Sequence, residues 1–131
     1  MRWRLISLIT AALVLALAGG SYFYLMKRSD AERLARRLTN GDPHRAPDLM
    51  RNFGCAGCHQ IPGVTGARGL TGPPLKDISR RVYVAGVLPN TPDNLVRFIV
   101  NPRGPLPNGA MPITGIDEQG ARDIAAYLYA R

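Results

Sequence analysis

Three things are scarce in this chain: cysteine and histidine, at two residues each, and any useful stretch of strand-like alternation. Without strands, a thioredoxin-like redox pair lacks the strand-turn-helix setting it needs. A zinc site lacks a fourth ligand, because His44 comes too early for the usual paired spacing with Cys55, Cys58 and His59. Aromatics are few as well. Beyond residue 28 none alternates with the basic side chains, which argues against a nucleic-acid surface.

Charge is absent from residues 5–26, LISLITAALVLALAGGSYFYLM. At about 1.5 Å per residue that run reaches about 33 Å, enough to cross a hydrocarbon core. Arg2 and Arg4 stand before it, and Lys27 and Arg28 after it. Ala16-Leu17-Ala18 is an A-x-A match of the kind that ends a cleaved signal. The apolar run nevertheless continues through Tyr22, Phe23, Tyr24, Leu25 and Met26, and with Trp3 these aromatics fall where interfacial belts are expected. The expectation is an uncleaved signal anchor over residues 1–28, with cleavage after Ala18 as the alternative. Either way the remainder leaves the cytoplasm.

The formal charge of +8 is uneven. All nine acids lie beyond residue 28, where 13 Lys and Arg face them, a net +4. A mildly basic domain of this kind has no dense basic stripe. No nucleic-acid partner is expected.

Residues 29–41, SDAERLARRLTNG, read as a juxtamembrane helix and linker. Ser29 and Glu32 have the spacing of a capping box, Ala31, Leu34, Ala35 and Leu38 form an apolar stripe, and Asn40-Gly41 stops the helix. Its basic face, Arg33, Arg36 and Arg37, suits lipid headgroups or simply solvent. Residues 42–131 form the exported domain. A helix starting between Pro43 and Pro47 places Leu49, Met50 and Phe53 on one side and runs into Cys55; a Gly/Pro-rich loop follows His59. Thr91 and Pro92 open a helix that Asn101-Pro102 closes, and the last helix follows Asp117. The fold class is all-α. So small a domain rarely buries enough apolar surface to offset its ordering entropy without a staple or cofactor.

Within GCAGCHQ, the pattern C-x-x-C-H is the signature of covalent haem attachment. Two thiols three residues apart lie on one side of a helical turn, where they can add to neighbouring vinyl groups of a porphyrin. His59 then stands under the iron. Candidates for the sixth iron position are Met1, Met26, Met50, Met111 and His44, or an open site. Met50 reads as core, Met1 and Met26 belong to the apolar segment, and His44 reads as a surface residue. Met111 sits in PLPNGAMPITG, a prolyl loop where periodic core packing is not expected. A His/Met pair closes the iron on both sides and suits electron transfer.

Four ordered motifs resemble the class I cytochromes c over residues 41–131. GDPHRAPDLMRNFGCAGCH is similar to the family's first helix and haem motif, and GPPL, residues 72–75, to its loop segment. NPRGPLPNGAMP is similar to its distal-ligand loop, and ARDIAAYLY to its closing helix. RVYVAG and NTPDNL add a likeness to short membrane-anchored monohaem cytochromes and oxidase-linked cytochrome domains.

The resemblance implies three to four short helices around one haem c. It implies thioethers at Cys55 and Cys58, His59 as proximal ligand and Met111 as distal ligand. It further implies that the Pro73 carbonyl accepts the other ring N–H of His59, and that Arg81 and Tyr83 contact the propionates. The expected role is a non-enzymatic electron carrier in a bacterial inner membrane, single-pass, with its haem domain in the periplasm. Its partners are then the haem attachment machinery, a respiratory electron donor and a terminal oxidase or similar acceptor. Arg68, Lys76 and Arg103 are candidates to steer docking onto an acidic face, or ordinary solvated charges. Two alternatives remain: a fixed haem subunit of an oxidase or dehydrogenase complex, and a haem sensor or peroxidase with a displaceable sixth ligand.

Overall fold

The computed structural model describes residues 2–131. They divide into two units, one ending at Asp30 and the other running from Ala31 to Arg131. Helix α1 (Arg2–Thr39) carries the apolar segment. That segment is long and apolar enough to span a membrane or act as a signal anchor, and no part of it is buried by protein. Trp3, Leu8, Leu15 and Tyr22 are all more than three-fifths exposed, as side chains meant for a non-aqueous surround would be.

The helix start expected at Ser29 does not exist. Ser29 lies inside α1, and its hydroxyl donates back to the Met26 carbonyl at 2.9 Å rather than capping a new helix. A S-x-x-E pattern caps only where the backbone leaves the helix, and here it does not. Helix α1 ends at Thr39, with Asn40 at a positive φ of 54°. The buried face also differs from the apolar stripe: Ala35 and Thr39 are buried, while Leu34 and Leu38 are exposed.

Just past the end of α1, at Gly41, the chain meets helix α5 (Glu118–Tyr129) backbone to backbone. A Cβ on Gly41 would stand 2.0 Å from the Arg122 carbonyl oxygen. Arg122 donates to the Thr39 carbonyl at 3.1 Å, and the Asp42 N–H donates to Asp123 Oδ1 at 2.7 Å. Asp123 is fully buried. Gln119 also donates to its Oδ1, at 3.0 Å, while Oδ2 lies 3.2 Å from Arg45 Nη1, an ion pair without hydrogen-bond alignment.

The rest of the second unit joins short helices through longer irregular connections. Helix α2 (Ala46–Asn52) begins with Pro47 in its first turn, where the missing N–H costs nothing. It does not run into Cys55: it closes at Phe53, and Gly54 takes a left-handed φ of 78° before the single turn α3 (Cys55–Cys58). Helix α4 (Pro92–Val100) opens at Thr91, whose hydroxyl accepts from the Asn94 N–H at 3.2 Å. Asp117 caps α5 in the same way through the Gly120 N–H at 2.8 Å.

Helices α2 and α4 both pack on α5. The core gathers Met50, Leu95, Val96, Ile99, Ala121, Ile124, Ala125 and Leu128. Burying a side chain such as Ile124 or Leu128 contributes about 1.5–3 kcal/mol. One departure from an all-helical chain is a small hairpin, β1 (Tyr83–Val84) and β2 (Leu88–Pro89), antiparallel with Val84 opposite Leu88. Its turn carries Ala85 and Gly86 at positive φ, 51° and 73°. Two-residue strands are too short to show alternation in sequence.

Candidate functional site

The two thiols and His59 are positioned by the break after α2. Gly54 lets the chain turn sharply, and α3 presents Cys55 and Cys58 at the two ends of one helical turn, both half-buried and free of any disulfide. Burial pushes the Cys55 thiol above its ordinary pKa, and the charge of Cys58 acts in the same direction. A redox-active pair wants a stabilised thiolate, which this environment opposes.

His59 leaves the turn in an extended conformation, its N–H still bonded to the Cys55 carbonyl at 2.9 Å. Its ring is gripped by the chain that returns past it. Nδ1 lies 2.7 Å from the Pro73 carbonyl oxygen. A carbonyl can only accept, so Nδ1 carries the proton, and the neutral form of the ring has its lone pair on Nε2. The Gly72 N–H donates to the Cys58 carbonyl and the Leu75 N–H to the Gln60 carbonyl, both at 2.8 Å.

Glycine is required at two points of this strap. A Cβ on Gly72 would stand 2.3 Å from His59 Cε1, and one on Gly69 would stand 2.3 Å from the Gly57 carbonyl oxygen. No residue larger than glycine fits against the imidazole or against the back of the C-x-x-C turn. Sequence alone shows these only as members of a Gly/Pro-rich loop.

The other candidates lie as follows. Met50 is fully buried in the core and His44 is on the surface, 3.9 Å from Glu32. Met26 lies in the apolar stretch of α1 and is 42% exposed; Met1 lies outside the described residues. Met111 is half-buried in the irregular segment between α4 and α5. Arg81 bonds through Nη2 to the carbonyls of Pro74 and, at 3.1 Å, Lys76, and Tyr83 is exposed on the hairpin. Arg68 and Lys76 line one shallow groove with Gln60, Ile61 and Pro74, and Arg103 is not part of it.

Apolar side chains are also open around these loops. In the second unit, apart from Leu34 and Leu38 of α1, the large exposed ones are Leu70, Val82, Tyr83, Val87 and Ile113, all from the connections between helices. Among the described residues, no three His, Cys, Asp or Glu side chains gather into a metal site of their own. Sequence reading also missed Asn90, Tyr129 and Asp123, the polar residues that tie these loops and the end of α1 to α5. Comparison with protein-family models, with curated proteins and with solved structures found no match to the chain.

Proposed function

We propose that this chain is a membrane-tethered electron-transfer cytochrome of the class I type, holding one covalent haem c through Cys55 and Cys58. The observation that carries the reading is the seat of His59: an imidazole next to a C-x-x-C turn, with Nδ1 bonded to the Pro73 carbonyl at 2.7 Å and the Gly72 backbone against its ring. The residues suit the group. Two thiols one turn apart match two vinyl positions, a histidine with a free Nε2 can ligate iron, and open apolar loop side chains can line a porphyrin.

When bound, the haem supplies reversible one-electron chemistry between ferric and ferrous iron. The chain's own residues do the rest. Cys55 and Cys58 would tether the haem, and His59, its ring held by the Pro73 carbonyl, and Met111 would ligate its iron. Two ligands from the chain would suit electron transfer rather than substrate binding, and the protein acts as a carrier. The segment over residues 5–26 is its anchor in the bacterial inner membrane, with the haem domain on the periplasmic side. Confinement there raises its effective concentration near a membrane-bound donor and a terminal oxidase.

The mass of the purified native protein tests this directly. One haem added covalently is expected, lost when Cys55 and Cys58 are both replaced by Ala; an unaltered mass would sink the reading. The reduced protein should bind no CO at neutral pH. Ready CO binding would instead make it a sensor or peroxidase with a displaceable ligand.

A further inference from the structure

The strap that carries Pro73 does not stand alone. Arg81 holds it from outside, donating through Nη2 to the carbonyls of Pro74 and Lys76. Arg81 is in turn held by Asn90, whose side-chain amide donates to the carbonyls of Arg81 at 2.8 Å and Ile78 at 2.7 Å. The Asn90 N–H donates to the Val82 carbonyl at 2.9 Å, and its Oδ1 accepts from the Tyr129 hydroxyl at 2.7 Å. Two carbonyls can only accept and Tyr129 then donates, so every polar atom of the Asn90 side chain has a defined partner. Tyr129 stands in the last turn of α5.

We infer that Asn90 is a positioning residue for His59. It links the closing helix to Arg81, and through Arg81 to the strap on which the Pro73 carbonyl sits, so that the orientation of the axial imidazole depends on a side chain 31 positions away from it. The inference rests on the haem reading above. A carboxylate does not substitute for this amide. Asp in place of Asn would still accept from Tyr129 but would set an oxygen against two carbonyl oxygens, breaking the tie to residues 78 and 81 while keeping the one to α5.

The test uses the intact native chain with its histidines labelled with nitrogen-15, following solvent exchange of the His59 Nδ1 proton alongside the midpoint potential. Asn90→Asp and Asn90→Ala are expected to speed that exchange by about tenfold, the effect of losing one or two net hydrogen bonds, and to shift the potential. Gln119→Ala is the control. It removes bonds from α5 to the Asn40 carbonyl and to Asp123, so it weakens packing at the other end of α5 without touching residues 60–90, and should leave the proton and the potential unchanged. Wild-type exchange and potential in both Asn90 variants, or an equal effect in Gln119→Ala, overturns the inference. Native mass separates the two claims: with no haem attached the haem reading fails, whereas a haem-bearing chain insensitive to Asn90 sinks only this one.

Discussion

Two Gly- and Pro-rich connections carry or adjoin the proposed iron ligands, and their hydrogen bonds are built in opposite ways. The connection after His59, residues 60–77, is fastened to other parts of the chain: to Cys58 through Gly72, to His59 through Pro73, to α5 through Pro62 and Tyr127. It buries Ile61, Val64 and Ala67. The connection around Met111, residues 101–116, is hydrogen-bonded to itself, by local turns such as Leu106 N–H to Pro102 and Gly109 N–H to Leu106, at 3.1 and 2.9 Å, and joins the core only at its end, through Ile116. Ile113 stands exposed there. The difference teaches that the chain fixes His59 by bonds to distant residues, while the hydrogen bonds around Met111 are local.

The sharpest way to break that comparison is Gly72→Ala. The new methyl group would stand 2.3 Å from His59 Cε1, so the ring has to leave Pro73. Overpacking of this kind costs roughly 1–3 kcal/mol, and the covalent haem content read by mass should collapse; wild-type loading would show the strap to be slack. Met111→Ala comes next. It should open the reduced protein to CO and lower the midpoint potential, yet move the folding stability of the haem-free chain by less than about 1 kcal/mol.

Tyr127→Phe removes one of the bonds that fasten the histidine-side connection to α5, and should cost about 1 kcal/mol in denaturant unfolding. Its counterpart in the connection around Met111, Gly109→Ala, brings a methyl group to 2.8 Å of the flexible end of Leu106; a loss under about 1 kcal/mol is expected because that side chain can move. A loss there as large as at Gly72 would erase the distinction between the two connections.

The smallest effect lies outside both. Asp42 accepts the His44 N–H at 3.0 Å and pairs with Arg36 at 2.6 Å. The backbone bond from His44 has the largest influence and lowers its carboxyl; burial, next in size, opposes it, and the charges of Arg36 and His44 add to the lowering, leaving the carboxyl below its ordinary range. Its contribution is therefore full above the unfolded pKa and is lost as pH falls through the lowered folded value. Asp42→Asn should flatten the acid limb of the stability curve slightly, and leave it unchanged near neutrality apart from the lost pair.

Much of this was legible in the residues. Helices α4 and α5 announce themselves through Thr91-Pro92 and Asp117, because caps act on adjacent backbone and need no distant partner. The C-x-x-C-H group is equally local. Three features were not. Ser29 and Glu32 look like a helix start only if the preceding turn ends, and that depends on α1 continuing into its seat on α5. Asp123 looks like a solvent-facing acid in a periodic helix, yet it is buried because the Asp42 N–H and Arg45 reach it from far along the chain. Gly72 is one glycine among several until the His59 ring is set against it. Long-range backbone approach leaves no periodic trace in sequence.

The seat of Gly41 against the Arg122 carbonyl carries a consequence for the order of assembly. Residues 39–42 have nothing to dock on until residues 119–123 exist, and α2 likewise needs α5. Contacts of such separation close late. The packing of α2 therefore waits until α5, the last helix in the chain, has been made.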